Sequence, residues 1–188
     1  MRALTVALLL GLAASTSALA EVTATSDLGF VVERSVIVPA DASATWRELV
    51  RPADWWQSAH TWSGNAANLT LDPRAGGCFC EALPQAKDMT ARGVAEHMRV
   101  IQLAPGRMLR MSGALGPLQG EAVQGTMTVT LTPLADGTTI KLAYVVGGYI
   151  RMNTAQMAPA VDGVLGAQLA GLAARLGGAR AAPAPPRP

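Results

Sequence analysis

The chain has 188 residues, half of them apolar, with 15 Lys and Arg against 13 Asp and Glu. That balance excludes a disordered chain, and two lysines with a net charge of +2 do not supply the clustered cations that nucleic-acid binding demands. The length suits a single packed domain that can hold its core without help from disulfides or metals.

The first twenty residues read as an export signal. Arg2 gives a positive start, residues 3–14 are an apolar stretch too short to span a bilayer, and Ala18-Leu19-Ala20 is a small-x-small cleavage site. The expected mature protein begins at Glu21 and resides in a bacterial periplasm or is secreted. No later segment offers the roughly 18 uninterrupted apolar residues of a membrane span. At the other end, residues 179–188 contain Ala-Ala-Pro-Ala-Pro-Pro-Arg-Pro, which cannot sustain a hydrogen-bonded helix and is expected to be a disordered tail. The domain is therefore placed at residues 21–178.

Within it, residues 28–38 carry the β-branched run Val31, Val32, Val36, Ile37 and Val38, which predicts a strand ended by Pro39. Asp41 can cap a short helix over 42–50, and Pro52 can open a second helical turn bearing Trp55 and Trp56. Residues 57–68 are small and polar and predict a loop. Strand-like runs follow at 69–71, 78–83, 93–103, 108–115, 122–133 and 138–149, separated by Gly- and Pro-containing turns. In the last two, Val123, Met127, Val129 and Leu131 share one face, as do Ile140, Leu142, Tyr144 and Val146. Residues 153–176 then present Met157, Val161, Val164, Leu165, Leu169, Leu172 and Leu176 at helical spacing, a stripe that must cover a sheet.

This order resembles the helix-grip fold of the START-like, or SRPBCC (Bet v 1-like), superfamily. That fold is α+β: a curved antiparallel sheet of about seven strands grips a long C-terminal helix, with two short helices after the first strand. The motifs that carry the resemblance are the helix pair from Asp41 to Trp56, the turn Leu71-Asp72-Pro73-Arg74-Ala75-Gly76-Gly77, and Gly93-Val94 with Ala104-Pro105-Gly106-Arg107-Met108-Leu109. They are similar to the branch that contains the activator of the Hsp90 ATPase and the polyketide cyclase-like proteins. The resemblance implies a cavity between sheet and helix that takes hydrophobic or amphipathic small molecules.

Glu96 stands in period-two register with Val94, Met98 and Val100, which predicts an inward carboxylate able to act as acid or base. The same register places His97 on the outer face. His60 and Trp62 lie in the loop after the double tryptophan, where a loop on a rigid scaffold can carry function. The expected ligand-binding set is Trp56, His60, Trp62, Glu96, Met98, Met111 and Tyr144, with Glu96 and His60 the candidates for acid–base work in an enzyme. Cys78 and Cys80 point to one face; extended i and i+2 α-carbons sit close to the upper limit of disulfide reach, so the expectation is that they either stay as buried thiols or pair despite strain. Glu81 points to the other face, and no second paired-ligand motif completes a metal site. No cofactor is expected, since hydrolase and phosphate-loop motifs are missing from the sequence. A carrier, a cyclase- or aromatase-like enzyme and a protein-interaction module like the Hsp90 activator all remain open. The expected partner is a hydrophobic small molecule, with no nucleic acid and no membrane span.

Overall fold

The computed structural model describes residues 20–180. The export signal lies outside the described residues except for Ala20, and so does the tail beyond Arg180. Eight antiparallel strands form one sheet: β1 (Ala20–Ser26), β2 (Gly29–Val38), β3 (Leu69–Leu71), β4 (Cys78–Ala82), β5 (Val94–Ala104), β6 (Met108–Ser112), β7 (Ala122–Leu134) and β8 (Gly137–Tyr149). Their spatial order is β1-β2-β8-β7-β6-β5-β4-β3, a meander from β3 to β8 with the β1–β2 hairpin added along β8. Helix α1 (Ala42–Leu49) follows β2, and the long helix α2 (Thr154–Arg175) crosses the sheet's inner face. This is the expected helix-grip architecture, with one strand more than the sequence reading and with the second short helix reduced to a single 3-10 turn, Pro52–Asp54.

Local chemistry accounts for the elements. The Asp41 side chain caps α1 by accepting from the Ala44 N–H at 2.7 Å, and Asn153 caps α2 by accepting from Ala155 and Gln156. In the turn before β4, Gly76 has φ +79°, and a Cβ on Gly77 would stand 2.0 Å from the Asp72 carbonyl oxygen. The alternation read in β7 and β8 holds: Met127, Val129, Leu131, Ile140, Leu142, Tyr144 and Val146 are buried. They meet Leu165, Leu169 and Leu172 of α2 in one core. Alpha-2 is long and apolar enough by composition to cross a membrane, but here its apolar face lies against the sheet.

Two inward polar side chains brace the core. Arg34 alternates with Val32 and Val36 on the inner face of β2 and meets Asp162 of α2 in a bidentate pair, with Nε to Oδ1 and Nη2 to Oδ2 both at 2.7 Å. This ties the helix to the strand. The Tyr144 hydroxyl, fully buried, donates to the Gly113 carbonyl at 3.2 Å and accepts from the Leu115 N–H at 3.1 Å. Gly125 leaves the room this ring needs, since a Cβ there would lie 2.5 Å from the hydroxyl.

Cys78 and Cys80 form a disulfide on the outer face of β4, their α-carbons 5.4 Å apart and within ordinary disulfide reach. Beyond α2, the Arg180 N–H donates to the Ile37 carbonyl at 2.8 Å, and its guanidinium pairs with Asp136 at 2.8 Å. The chain therefore stays attached to the sheet one residue past Ala179, where the tail was expected to start.

Candidate functional site

The bulge that decides the site is in β5. Cys80 pairs with Glu96 and Phe79 with Met98, so His97 is an extra residue opposite that step. A period-two reading carried through this point inverts the faces on one side of it. Val94 and Glu96 consequently face solvent, whereas His97 and Met98 are both buried. The inward assignment of Glu96 is corrected: its carboxylate pairs with Arg99 on the exposed side, with Arg99 Nη2 at 2.5 Å from Oε2. The outward assignment of His97 is corrected by the same bulge.

His97 meets a carboxylate that the candidate set omitted. Glu81 alternates with Phe79 on the inner face of β4 and is fully buried. Its Oε2 accepts from His97 Nε2 at 2.8 Å and from the Trp62 N–H at 3.1 Å, while Oε1 accepts from the Ser63 N–H at 2.5 Å. Desolvation alone would raise the Glu81 pKa, but the hydrogen bonds from Ser63, Trp62 and His97 outweigh it and hold the carboxyl below its ordinary range. An ionised Glu81 only accepts, so His97 Nε2 carries a proton and a neutral His97 has its lone pair on Nδ1.

His60 is fixed by the same kind of reasoning. The Gln168 side chain is buried on α2, and its Oε1 accepts from the Gln57 N–H at 2.8 Å. Its amide nitrogen is thereby the donor to His60 Nδ1, at 2.7 Å. A neutral His60 must then carry its proton on Nε2.

Both imidazoles line one cavity of about 300 Å³ between α2, the loop after α1 and the turn after β6. Its walls are apolar, formed mainly by Trp56, Trp62, Phe79, Leu115, Val161 and Leu165. Trp56, Phe79 and His97 form a run of ring contacts with centroids 5.4 and 5.2 Å apart. At the rim Trp62 is half exposed; its Nε1 donates to Gln119 Oε1 at 3.0 Å, and Gln119 Nε2 donates to the Glu96 carbonyl at 2.8 Å. This latch joins the loop after α1 to the turn before β7. A small void of about 30 Å³ lies deeper, sharing Trp56, Phe79 and Leu165 with the cavity.

Of the expected ligand-binding residues, Trp56, His60 and Trp62 come together on the cavity, and Met111 lines the deeper void. Met98 and Tyr144 are packed in the core and reach neither space, and burial raises the Tyr144 hydroxyl to a pKa of about 12. Glu96 instead sits beside the Cys78–Cys80 disulfide on the outer face, where the bonded sulfurs are not thiolates. The residues that sequence reasoning missed are Glu81, His97 and Gln168. Glu81 was legible from its alternation with Phe79, and Gln168 from its place three residues after Leu165 within the helix stripe. No short-range signal in β5 announces the bulge at His97.

A curved sheet closed over a long helix with a cavity between them defines a protein of the START-like, SRPBCC class. Residues 29–177 match the family described as "Polyketide cyclase / dehydrase and lipid transport", and the chain belongs to it. No curated protein matches the chain. Among solved structures it is similar to protein MLL2253 from Mesorhizobium loti, with a TM-score of 0.54 and 19% identity over 78% of this chain and 96% of that one. An uncharacterized protein from Rhizobium leguminosarum gives 0.51 and 18% over 77% and 94%. The two-domain ARO/CYC StfQ from the steffimycin biosynthetic pathway gives 0.52 and 14%, with 80% of this chain covering 49% of StfQ. At these identities the likeness concerns the fold.

Proposed function

We infer that this is an exported single-domain protein that binds a hydrophobic or amphipathic small molecule in the cavity between its sheet and α2. The observation that carries this is the cavity itself: about 300 Å³ of apolar space with two imidazoles and no charged residue among those that line it. Such a lining favours an apolar ligand that carries a neutral polar group, because an unpaired charge would lose its hydration there. Membership of a family whose description includes lipid transport supports the same reading. Export is supported by the pattern of residues 1–20, and the Cys78–Cys80 disulfide suits an oxidising compartment.

Native mass spectrometry of protein drawn from a periplasmic extract tests both parts. The expected species begins at Glu21 and carries an apolar adduct, and Trp62→Ala lowers the adduct's occupancy by removing part of the cavity wall. Exported protein with Met1 intact would overturn the processing site. An adduct-free protein that also fails to take up the neutral apolar fluorophore N-phenyl-1-naphthylamine would overturn the binding role.

A further inference from the structure

The cavity contains more than a binding surface needs. Glu81 is a fully buried carboxylate, and its place on the sheet costs desolvation that only the hydrogen bonds from Trp62, Ser63 and His97 offset. Its partner His97 lines the cavity, and among the described residues nothing hydrogen-bonds His97 Nδ1. Thr45 Oγ1 is the one sealed side-chain polar atom without a partner among the described residues, so Nδ1 is not sealed within the protein. His60, an exposed residue of the loop, lines the same cavity. The Gln168 amide occupies its Nδ1, which leaves Nε2–H as its free donor.

We propose that this cavity is an acid–base site, in which His97 Nδ1 takes a proton from an apolar ligand bearing a phenolic or enolic O–H or an enolisable carbonyl, and His60 Nε2–H holds the resulting oxyanion. This rests on the binding reading above and assigns the chemistry of that cavity. The balance is simple. The O–H or α-C–H bond breaks, its proton forms a bond to Nδ1, and the electron pair remains on the ligand, where it resides on the oxygen. His97 becomes an imidazolium that keeps its Nε2 proton against Glu81, whose negative charge compensates it. Returning the proton restores the ligand, or its isomer if another atom receives it, so neither an oxidant nor a reductant is consumed. His97 and His60 are the catalytic residues, while Glu81 and Gln168 are positioning residues that set which ring nitrogen is free. The titratable groups at the cavity are these two histidines, with Glu81 behind His97.

The probe is 4-nitrophenol, colourless as the acid and yellow as the anion, small enough for the cavity and free of other ionisable groups. It is titrated at a pH where the free probe is mostly un-ionised, with binding read separately from quenching of tryptophan fluorescence. An apolar cavity without a base favours the colourless form. The expected result is a yellow bound probe, its ratio of anion to acid raised about tenfold or more over the free probe, equivalent to one unit or more in its ionisation. His97→Gln should bind it and leave it colourless. Glu81→Gln should bind it and require a higher pH for the colour, which a purely structural role for Glu81 would not produce. A bound probe that stays colourless in the unaltered protein, or that yellows equally in His97→Gln, overturns the acid–base site alone. Failure of any saturable binding overturns the cavity reading and this inference with it.

Discussion

Glu81 and His97 are joined across neighbouring strands by a 2.8 Å hydrogen bond, and the same carboxylate accepts two backbone N–H groups from the loop at Trp62 and Ser63. One buried group thus fixes both the ring and the loop that borders the cavity. Its pH dependence follows. The folded-state pKa of Glu81 lies below its ordinary value of 4.5, so its contribution to stability is complete above that pH and is lost as the pH falls through the lower folded value. Glu81→Gln should flatten the acid limb of the stability curve. It should also cost about 1–3 kcal/mol at neutral pH, because an amide has one acceptor where the carboxylate uses two, leaving its NH2 against one of those N–H groups. Denaturant midpoints measured from neutral to acid pH decide this. An acid limb as steep as that of the unaltered protein would show that Glu81 is not the titrating group.

The Trp62–Gln119 hydrogen bond, continued from Gln119 to the Glu96 carbonyl, bridges two loops at the rim. Gln119→Ala removes both contacts without touching the cavity wall. The lost contacts are exposed, at the low end of the usual range and about 1 kcal/mol together, so the dissociation rate of a bound fluorophore should rise roughly fivefold. Stopped-flow displacement of the neutral fluorophore N-phenyl-1-naphthylamine reads the rate directly. An unchanged rate would mean that the ligand leaves by another path.

The legible part of this fold is where one face is buried without interruption. In β7 and β8 each alternate residue is apolar or threonine, and the period-two reading assigned every face. In α2 the stripe gave the helix, but periodicity does not distinguish burial against the sheet from burial against empty space. Strand β1 escaped notice because its seven residues, Ala-Glu-Val-Thr-Ala-Thr-Ser, bring no apolar side chain larger than Val22. Such an edge strand is held by its ladder to β2, which no hydrophobic period reports. The site was legible in its loop, at Trp56, His60 and Trp62, and misread in β5. One extra residue exchanges the roles of Glu96 and His97, and a bulge depends on the partner strand, which local sequence does not contain.

Gly171 lies where α2 passes the backbone of Trp55, and a Cβ there would stand 2.5 Å from the Trp55 carbonyl oxygen. Glycine inside a helix is ordinarily unfavourable by about 1 kcal/mol relative to alanine, so Gly→Ala would stabilise an open site. Here the obstacle is a backbone atom that cannot rotate away. Gly171→Ala should therefore destabilise the protein, whereas Gly163→Ala, with no atom within 4 Å of its added Cβ, should stabilise it. Thermal midpoints of the two variants give the comparison. A gain at both positions would show that the helix can retreat from Trp55.

Helix α2 divides between core and cavity along its length. Leu169 and Leu172, toward the C-terminal end, are buried and border only the small deep void, whereas Val161 is half-buried and lines the larger cavity. The sequence stripe assigned Val161 and Leu169 the same duty of closing the sheet, and the structure separates them. Leu169→Ala deletes methyl groups from a packed site and should cost about 2–5 kcal/mol. Val161→Ala enlarges a space already present, so it should cost about 1 kcal/mol or less while altering the affinity for the bound molecule. Measuring denaturation midpoints together with fluorophore affinity separates these effects. If Val161→Ala lost as much stability as Leu169→Ala with no change in affinity, Val161 would belong to the core and the cavity would end short of that turn of the helix.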